Sequence, residues 1–197
     1  MINSFISWVI EHYIEIIGVI SGIVGVWLTT KQIIWCWPVA LINVLLYIYI
    51  FFIAKLYADF GLQIFYLVMT LYGWYNWKYG GRNHSTLKVS RAGNKLIIIY
   101  LIIGTFSFLS IGYILHKYTD AAYPYWDSFV SVWGIIGTFM QAKKQIENWI
   151  VWIIIDMNCV GIYFCKELYP TVALYFIFTL LAVIGYYKWR KDLIKIH

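Results

Sequence analysis

Seven apolar stretches leave this chain little choice of fold. They cover residues 14–30, 33–53, 57–77, 95–115, 125–142, 148–165 and 169–189. A helix needs roughly 20 mostly apolar residues to cross the hydrocarbon core of a bilayer. Hydrocarbon offers no partner to backbone N–H and C=O groups, so each stretch must satisfy its own, which a helix does. The stretches end at charges, at the Gly80–Gly81 pair or at proline. Pro124 and Pro170 stand where helices begin, where a missing N–H costs nothing. Pro38 falls in the first turns of the second stretch and is expected to tilt or open it. Charged residues are 12% of the chain, about half the share of a soluble domain. The expected class is therefore an all-α integral membrane protein of seven transmembrane helices. The N-terminal segment has neither a basic start nor a small-residue cleavage site, so no removable signal peptide is expected.

The net charge of +6 could suit a nucleic acid, but its distribution follows the membrane instead. With the N-terminus outside, twelve Lys and Arg residues fall on the inner side, including Lys78, Arg82, Lys88, Lys143, Lys144 and Arg190. Only Lys55, Lys117 and Lys166 fall outside. Basic loops stay cytoplasmic, which orients the chain N-out and C-in and removes the case for a nucleic-acid partner. The 82–95 loop, RNHSTLKVSRAGNK, reads as a solvated cytoplasmic linker with no specific partner. Cys36, Cys159 and Cys165 lie in apolar stretches without metal spacing and read as buried free thiols. His12, His84, His116 and His197 sit at ends or in loops, so neither a metal nor a cofactor is expected.

Shifted by 112 positions, the chain meets itself without a gap. Glu15 falls on Asp127, Gly22 on Gly134, Gly25 on Gly137, Lys31 on Lys143 and Trp37 on Trp149. Leu56–Tyr57 falls on Leu168–Tyr169, Gly73 on Gly185, Tyr75 on Tyr187 and Trp77 on Trp189. Spans 1–3 thus match spans 5–7, and span 4 links them. The expected division is residues 1–80 as a first three-helix repeat, 81–120 as loop and linking helix, and 121–197 as a second repeat. One linking span makes the two triplets parallel, with their symmetry axis along the membrane normal. SWEET sugar transporters are built this way, and such folds place their sites at the repeat interface near the midplane.

Polar residues fall on stripes when the spans are wound at about 100° per residue. Span 6 carries Trp149, Trp152, Asp156 and Tyr163 at i, i+3, i+7 and i+14. Span 5 carries Ser131, Thr138, Gln141 and Gln145, and span 3 carries Gln63, Tyr66, Thr70 and Trp74. Span 2 adds Asn43 and Tyr47, and span 1 adds Ser21, Thr29 and Gln32. An acid at a helix centre costs about 2.5–3.5 kcal/mol on insertion scales, so these groups should converge inside the bundle. A cavity of aromatics, amides and one carboxylate suits a small, flat, hydrogen-bonding cation. Structural readings compete residue by residue. Asp156 can serve a Ser or Tyr as a hydrogen-bond partner, and Asn43 or Gln63 can join helices. Gly18, Gly22 and Gly25 read as close-packing positions, and Asp59 and Glu167 as solvated charges. Most of the 11 tryptophans lie near helix ends, the place of interfacial anchors. The repeat adds one clue: Asp156 matches Val44, and Asn43 matches Ile155. The scaffold is duplicated but these polar residues are not, as an asymmetric ligand would require. An intramembrane enzyme would need a second acid or base near Asp156, and an ion channel would need a filter-like segment; neither is visible.

These residues resemble the PnuC family of vitamin transporters. The matching motifs are ENWIVWIIID (147–156), LYADFGLQ (56–63), YGWYNW (72–77) and YWDSF (125–129), and the likeness covers nearly the whole chain. It implies a SWEET-like fold of seven helices, often a homotrimer, in the bacterial inner membrane. It further implies facilitated diffusion of nicotinamide riboside, thiamin or riboflavin, with a cytoplasmic kinase trapping the vitamin. Trp149, Trp152 and the residue closing the motif are implicated in substrate binding. Nicotinamide riboside carriers of the family close the motif with asparagine, whereas this chain has Asp156. A carboxylate suits the donor-rich aminopyrimidine of thiamin, which tilts the sequence reading toward thiamin over nicotinamide riboside.

Overall fold

The computed structural model describes the backbone of residues 2–196; the side chains of residues 1–15, 58 and 195–197, and so those of His12, Glu15, Lys195 and His197, lie outside the described residues. Seven helices follow one another: α1 (Ile2–Thr30), α2 (Cys36–Ile53), α3 (Tyr57–Tyr79), α4 (Asn94–Tyr118), α5 (Pro124–Ala142), α6 (Asn148–Cys165) and α7 (Tyr169–Ile196). By length and composition α2, α4, α6 and α7 are apolar enough to cross a membrane, and α1 adds the apolar segment Ile16–Thr30. Helices α3 and α5 have 23 and 19 residues, about 34 and 28 Å at 1.5 Å per residue. They match the bilayer core in length but are more polar, because each turns a polar stripe toward the interior. Pro124 occupies the start of α5, and Pro38 falls in the first turn of α2, where it interrupts no intrahelical bond.

The helix pairs in contact follow the sequence repeat. Within the triplets these are α1–α2 and α2–α3, matched by α5–α6 and α6–α7. Between them α1 packs on α7 and α3 on α5, two contacts that the 112-residue shift interchanges. Helix α4 stands outside this pattern and packs on α5, with Gly104 against Trp133 and Ile136. The turns repeat as well. Gln32 and Lys144 have φ of 56° and 51°, and Lys55 and Glu167 have 57° and 59°. Each follows a helix whose end is closed by a six-residue backbone bond: Ile33 N–H to Leu28 O and Gln145 N–H to Met140 O, then Leu56 N–H to Phe51 O and Leu168 N–H to Tyr163 O. This is the Schellman closure, here with a left-handed residue that is not glycine. Each such residue costs about 1–2 kcal/mol of backbone strain.

Four tryptophans build the core at one end of the bundle. Trp37 meets Trp77 edge-on at 5.3 Å and 87°, and its repeat mate Trp149 meets Trp189 at 5.3 Å and 84°. Trp77 and Trp189 join the halves across the axis at 5.8 Å. The Trp77 indole N–H donates to Gln141 O at 3.0 Å, and that of Trp189 to Thr29 O at 3.2 Å. These rings are at most 2% exposed, so near helix ends they serve as core, not as the interfacial anchors their position predicts. Trp37 lies on Gly73 and Trp149 on Gly185. Cys36 and Cys159 are buried as expected, but Cys165, at the end of α6, is exposed.

The linker after α3 departs most from expectation. Most of it is exposed, as a solvated linker would be, but it is not loose: it forms a strap across the tryptophan end. Leu87 N–H bonds to Trp77 O at 3.0 Å; Ser90 N–H donates to Lys144 O and its own carbonyl accepts from Ile146 N–H, both at 3.0 Å. Ala92 N–H donates to a Glu147 carboxylate oxygen at 2.9 Å. Val89 and Ala92 are buried, Val89 within the tryptophan cluster. The strap is pinned mainly through its backbone, which is why its polar composition gave no sign of it.

A Cβ at residue 185 would stand 2.5 Å from the Trp149 ring, whereas one at Gly61 would meet nothing within 4 Å. Gly185→Ala should therefore lose about 1–3 kcal/mol by overpacking, seen as a lower thermal midpoint in detergent, and Gly61→Ala should not. Equal midpoints for the two variants would show that the ring is free to move aside.

Candidate functional site

Toward the middle of the bundle from the tryptophan core lies a cavity of ≈ 410 Å³. Its lining follows the repeat: Thr29 and Gln141, Trp37 and Trp149, Ala40 and Trp152, Asn43 and Ile155, Val44 and Asp156, Gln63 and Tyr175, and Tyr66 and Phe178 are mates under the shift, and all of them face it. A cavity lined by mates from both triplets lies on the repeat axis. Nearly every polar member has an apolar or differently sized mate, so the site is asymmetric in chemistry. The volume falls within the range of about 300–1,000 Å³ usual for small-molecule sites.

Six of the eight sequence-predicted residues line this cavity: Trp149, Trp152, Asp156, Asn43, Gln63 and Gln141. Asp156 is 5% exposed and makes no hydrogen bond or ion pair to a described residue. It is also the only charged side chain among the described lining residues. Asn43 has a divided role. Its amide N–H donates to Gly18 O at 2.7 Å and lies 3.0 Å from Ser21 Oγ, tying α2 to α1. Tyr47 and Tyr163 do not line the cavity. Tyr47 covers Gly18, and Tyr163 stacks on Tyr175 at 5.4 Å and 14°, one layer behind a ring that does line it. Trp74, Gln32 and Gln145 also leave their expected stripes. The first two open onto the strap side, and the Gln145 side chain accepts from Tyr100 OH at 3.3 Å.

Tyr175 and Phe178 of α7 also line the cavity, and neither stood on a polar stripe in the sequence. The repeat was the signal available, since they are the mates of Gln63 and Tyr66. Gly22 and Gly25, read as packing positions, also reach the cavity wall. The two motif tryptophans divide their work. Trp149 is 1% exposed and wedged between Trp189 and Gly185, whereas Trp152 is less buried and stands against Gly137 beside Asp156.

Trp149→Ala should accordingly cost about 3–5 kcal/mol of stability and appear first in thermal melting. Trp152→Ala should leave the melt closer to wild type and weaken a flat cation by about 0.5–2 kcal/mol, read by calorimetry. A binding loss confined to the Trp149 variant would reverse this assignment.

Comparison with known proteins agrees with the geometry. A family model described as nicotinamide mononucleotide transporter matches residues 12–191. The chain is 29% identical over 202 residues to the nicotinamide riboside transporter PnuC of Escherichia coli (strain K12), covering 90% of this chain and 84% of the relative. It is 25% identical over 194 residues to the riboflavin/roseoflavin transporter RibM of Streptomyces davaonensis, covering 92% and 89%. The crystal structure of a vitamin B3 transporter PnuC superposes with a TM-score of 0.75 at 18% identity, over 98% of this chain and 87% of that one, and shows the same fold. With the motif tryptophans, the repeat and the aromatic cavity in place, the chain belongs to the nicotinamide mononucleotide transporter family, the PnuC-type vitamin transporters.

Proposed function

We propose that this protein carries nicotinamide riboside by facilitated diffusion through the axial cavity. The observation that carries the reading is the charge of the described lining: one carboxylate, Asp156, and no lysine, arginine or histidine among the described lining residues. Such a site favours a flat cation. The aromatic walls of Trp152, Tyr66 and Tyr175 suit a pyridinium ring, and Gln63, Gln141 and Thr138 suit a carboxamide and ribose hydroxyls. Riboflavin is uncharged and makes less use of Asp156. The carboxylate also suits the donor-rich aminopyrimidine of thiamin, and charge does not separate thiamin from nicotinamide riboside, since both are cations. The relatives reported above are named for nicotinamide riboside and for riboflavin, which moves the weight to nicotinamide riboside.

The same charge argues against the phosphorylated form as cargo. Two like unit charges 4 Å apart repel by about 4 kcal/mol at an effective dielectric of 20. A phosphate beside Asp156 would meet that repulsion with no cation among the described wall residues to offset it. Phosphorylation inside the cell would then hold the vitamin there, as the resemblance to the family implies. The twelve-to-three distribution of basic residues supports a cytoplasmic strap side, and the resemblance implies a homotrimer in the bacterial inner membrane.

Titration with nicotinamide riboside, thiamin and riboflavin tests the substrate. Nicotinamide riboside should bind most tightly, and Asp156→Ala should abolish its binding while the melt persists. In liposomes the vitamin should equilibrate and stop at equal concentrations, with uptake resuming when a vitamin kinase and ATP are enclosed. Tightest binding of thiamin would restore the other reading, and kinase-free accumulation driven by a proton or sodium gradient would overturn facilitated diffusion.

A further inference from the structure

A second cavity, of ≈ 730 Å³, lies beneath the strap. It shares no lining residue with the axial one. The two stand on opposite sides of the edge-on ring pair, with Trp37 facing the axial cavity and Trp77 facing this one. Its chemistry is also the reverse of the axial site. Lys78, Lys88 and Lys144 line it, with one carboxylate among the described lining residues, Asp192, which accepts the Gln32 amide at 2.7 Å; the Lys78 amine rests 5.0 Å from the Tyr79 ring. Trp35, Trp74 and Trp77 supply flat aromatic surface.

Lys144 is the unusual member. It is 6% exposed, donates one hydrogen bond to Leu87 O at 2.8 Å and sits over the Trp77 ring at 4.4 Å. An ammonium has three donors, so two remain. Burial lowers its pKa from the usual lysine value to about 8, only partly countered by Cys36 and Asp192. A bound anion would stabilise a buried charge that now lacks a contacting carboxylate.

We propose that this pocket binds a phosphate monoester that carries an aromatic ring, with the phosphate on Lys78, Lys88 and Lys144 and the ring on the tryptophans. The inference extends the proposed function: the axial cavity repels the phosphorylated vitamin, and the strap pocket receives it on the side where it is made. Bound there, it bridges α3, the strap and the α5–α6 turn, and holds that end closed.

The test is calorimetry of nicotinamide mononucleotide on the purified full chain, with and without saturating nicotinamide riboside. Mononucleotide should bind equally in both, because the sites are separate. Lys78→Gln with Lys88→Gln should weaken it at least about tenfold while the thermal midpoint holds. Inorganic phosphate, which lacks the ring, should bind more weakly by a similar factor. The riboside-free titration stands even if riboside proves not to be the cargo, so the two readings fail separately. Competition between mononucleotide and riboside, or an unaffected lysine double variant, would overturn the proposal. A further arm compares nanodiscs of phosphatidylcholine and phosphatidylglycerol. Unchanged binding supports a soluble ligand, and loss of mononucleotide binding in the anionic lipid would assign the pocket to a lipid headgroup instead.

Discussion

The fold depends on one packing problem solved twice: an indole ring laid on a glycine of the neighbouring helix. Trp37 on Gly73 and Trp149 on Gly185 let α2 approach α3, and α6 approach α7, more closely than a side chain at the glycine would allow. Each ring then presents its edge to a second tryptophan, and those two meet across the axis. Edge-to-face pairs contribute about 0.5–1.5 kcal/mol beyond the area they bury. In a bilayer, where helices gain nothing by leaving water, such packing and the indole bonds to Gln141 O and Thr29 O are what hold helices together. The cavity exists because this layer fixes one end of six helices and leaves their middles apart.

The scaffold is symmetric in backbone and asymmetric in side chains, and the two properties serve different ends. Matching left-handed turns at Gln32 and Lys144, and at Lys55 and Glu167, give the triplets the same internal geometry. The lining breaks that symmetry wherever a polar residue faces an apolar mate, as Asp156 does Val44. A vitamin with a charged ring at one end and a sugar at the other has no two-fold axis. A symmetric lining would offer it two half-suitable poses, and an asymmetric one offers a single pose.

Much of this was legible in the sequence. Helix number and order follow from the lengths of the apolar runs, and the triplet pairing follows from a gapless 112-residue shift. The cavity was legible where polarity marked it, at Asp156, Gln63 and Gln141. It was not legible at Tyr175 and Phe178, because an aromatic residue in an apolar helix looks the same whether it faces lipid or ligand. Tyr47 and Tyr163 were misplaced for the same reason: helical phase gives a face but not its depth, and Tyr163 falls one ring behind Tyr175. The strap was invisible because backbone bonds pin it, and a backbone N–H is the same in every residue but proline. Tryptophans near helix ends read as interfacial anchors because position along a helix does not distinguish a ring facing outward from one facing the axis.

Charge divides the two sides of the tryptophan layer. Among the described lining residues, a carboxylate without a cation stands on one side, and three lysines with one engaged carboxylate on the other. A passive carrier cannot bias the distribution of its substrate, since a site equally open to both sides releases as readily as it binds. Net uptake therefore requires that the product differ from the cargo in the property the site reads. In the proposed function that property is charge, and adding a phosphate changes it from attraction to repulsion. On the proposed reading, the acid in α6 sets both what enters and what cannot return, and it does so only while the rest of the lining stays free of basic residues. A lysine or arginine placed there would stabilise the phosphate that the proposed site excludes, and on that reading it would remove the direction from the transport.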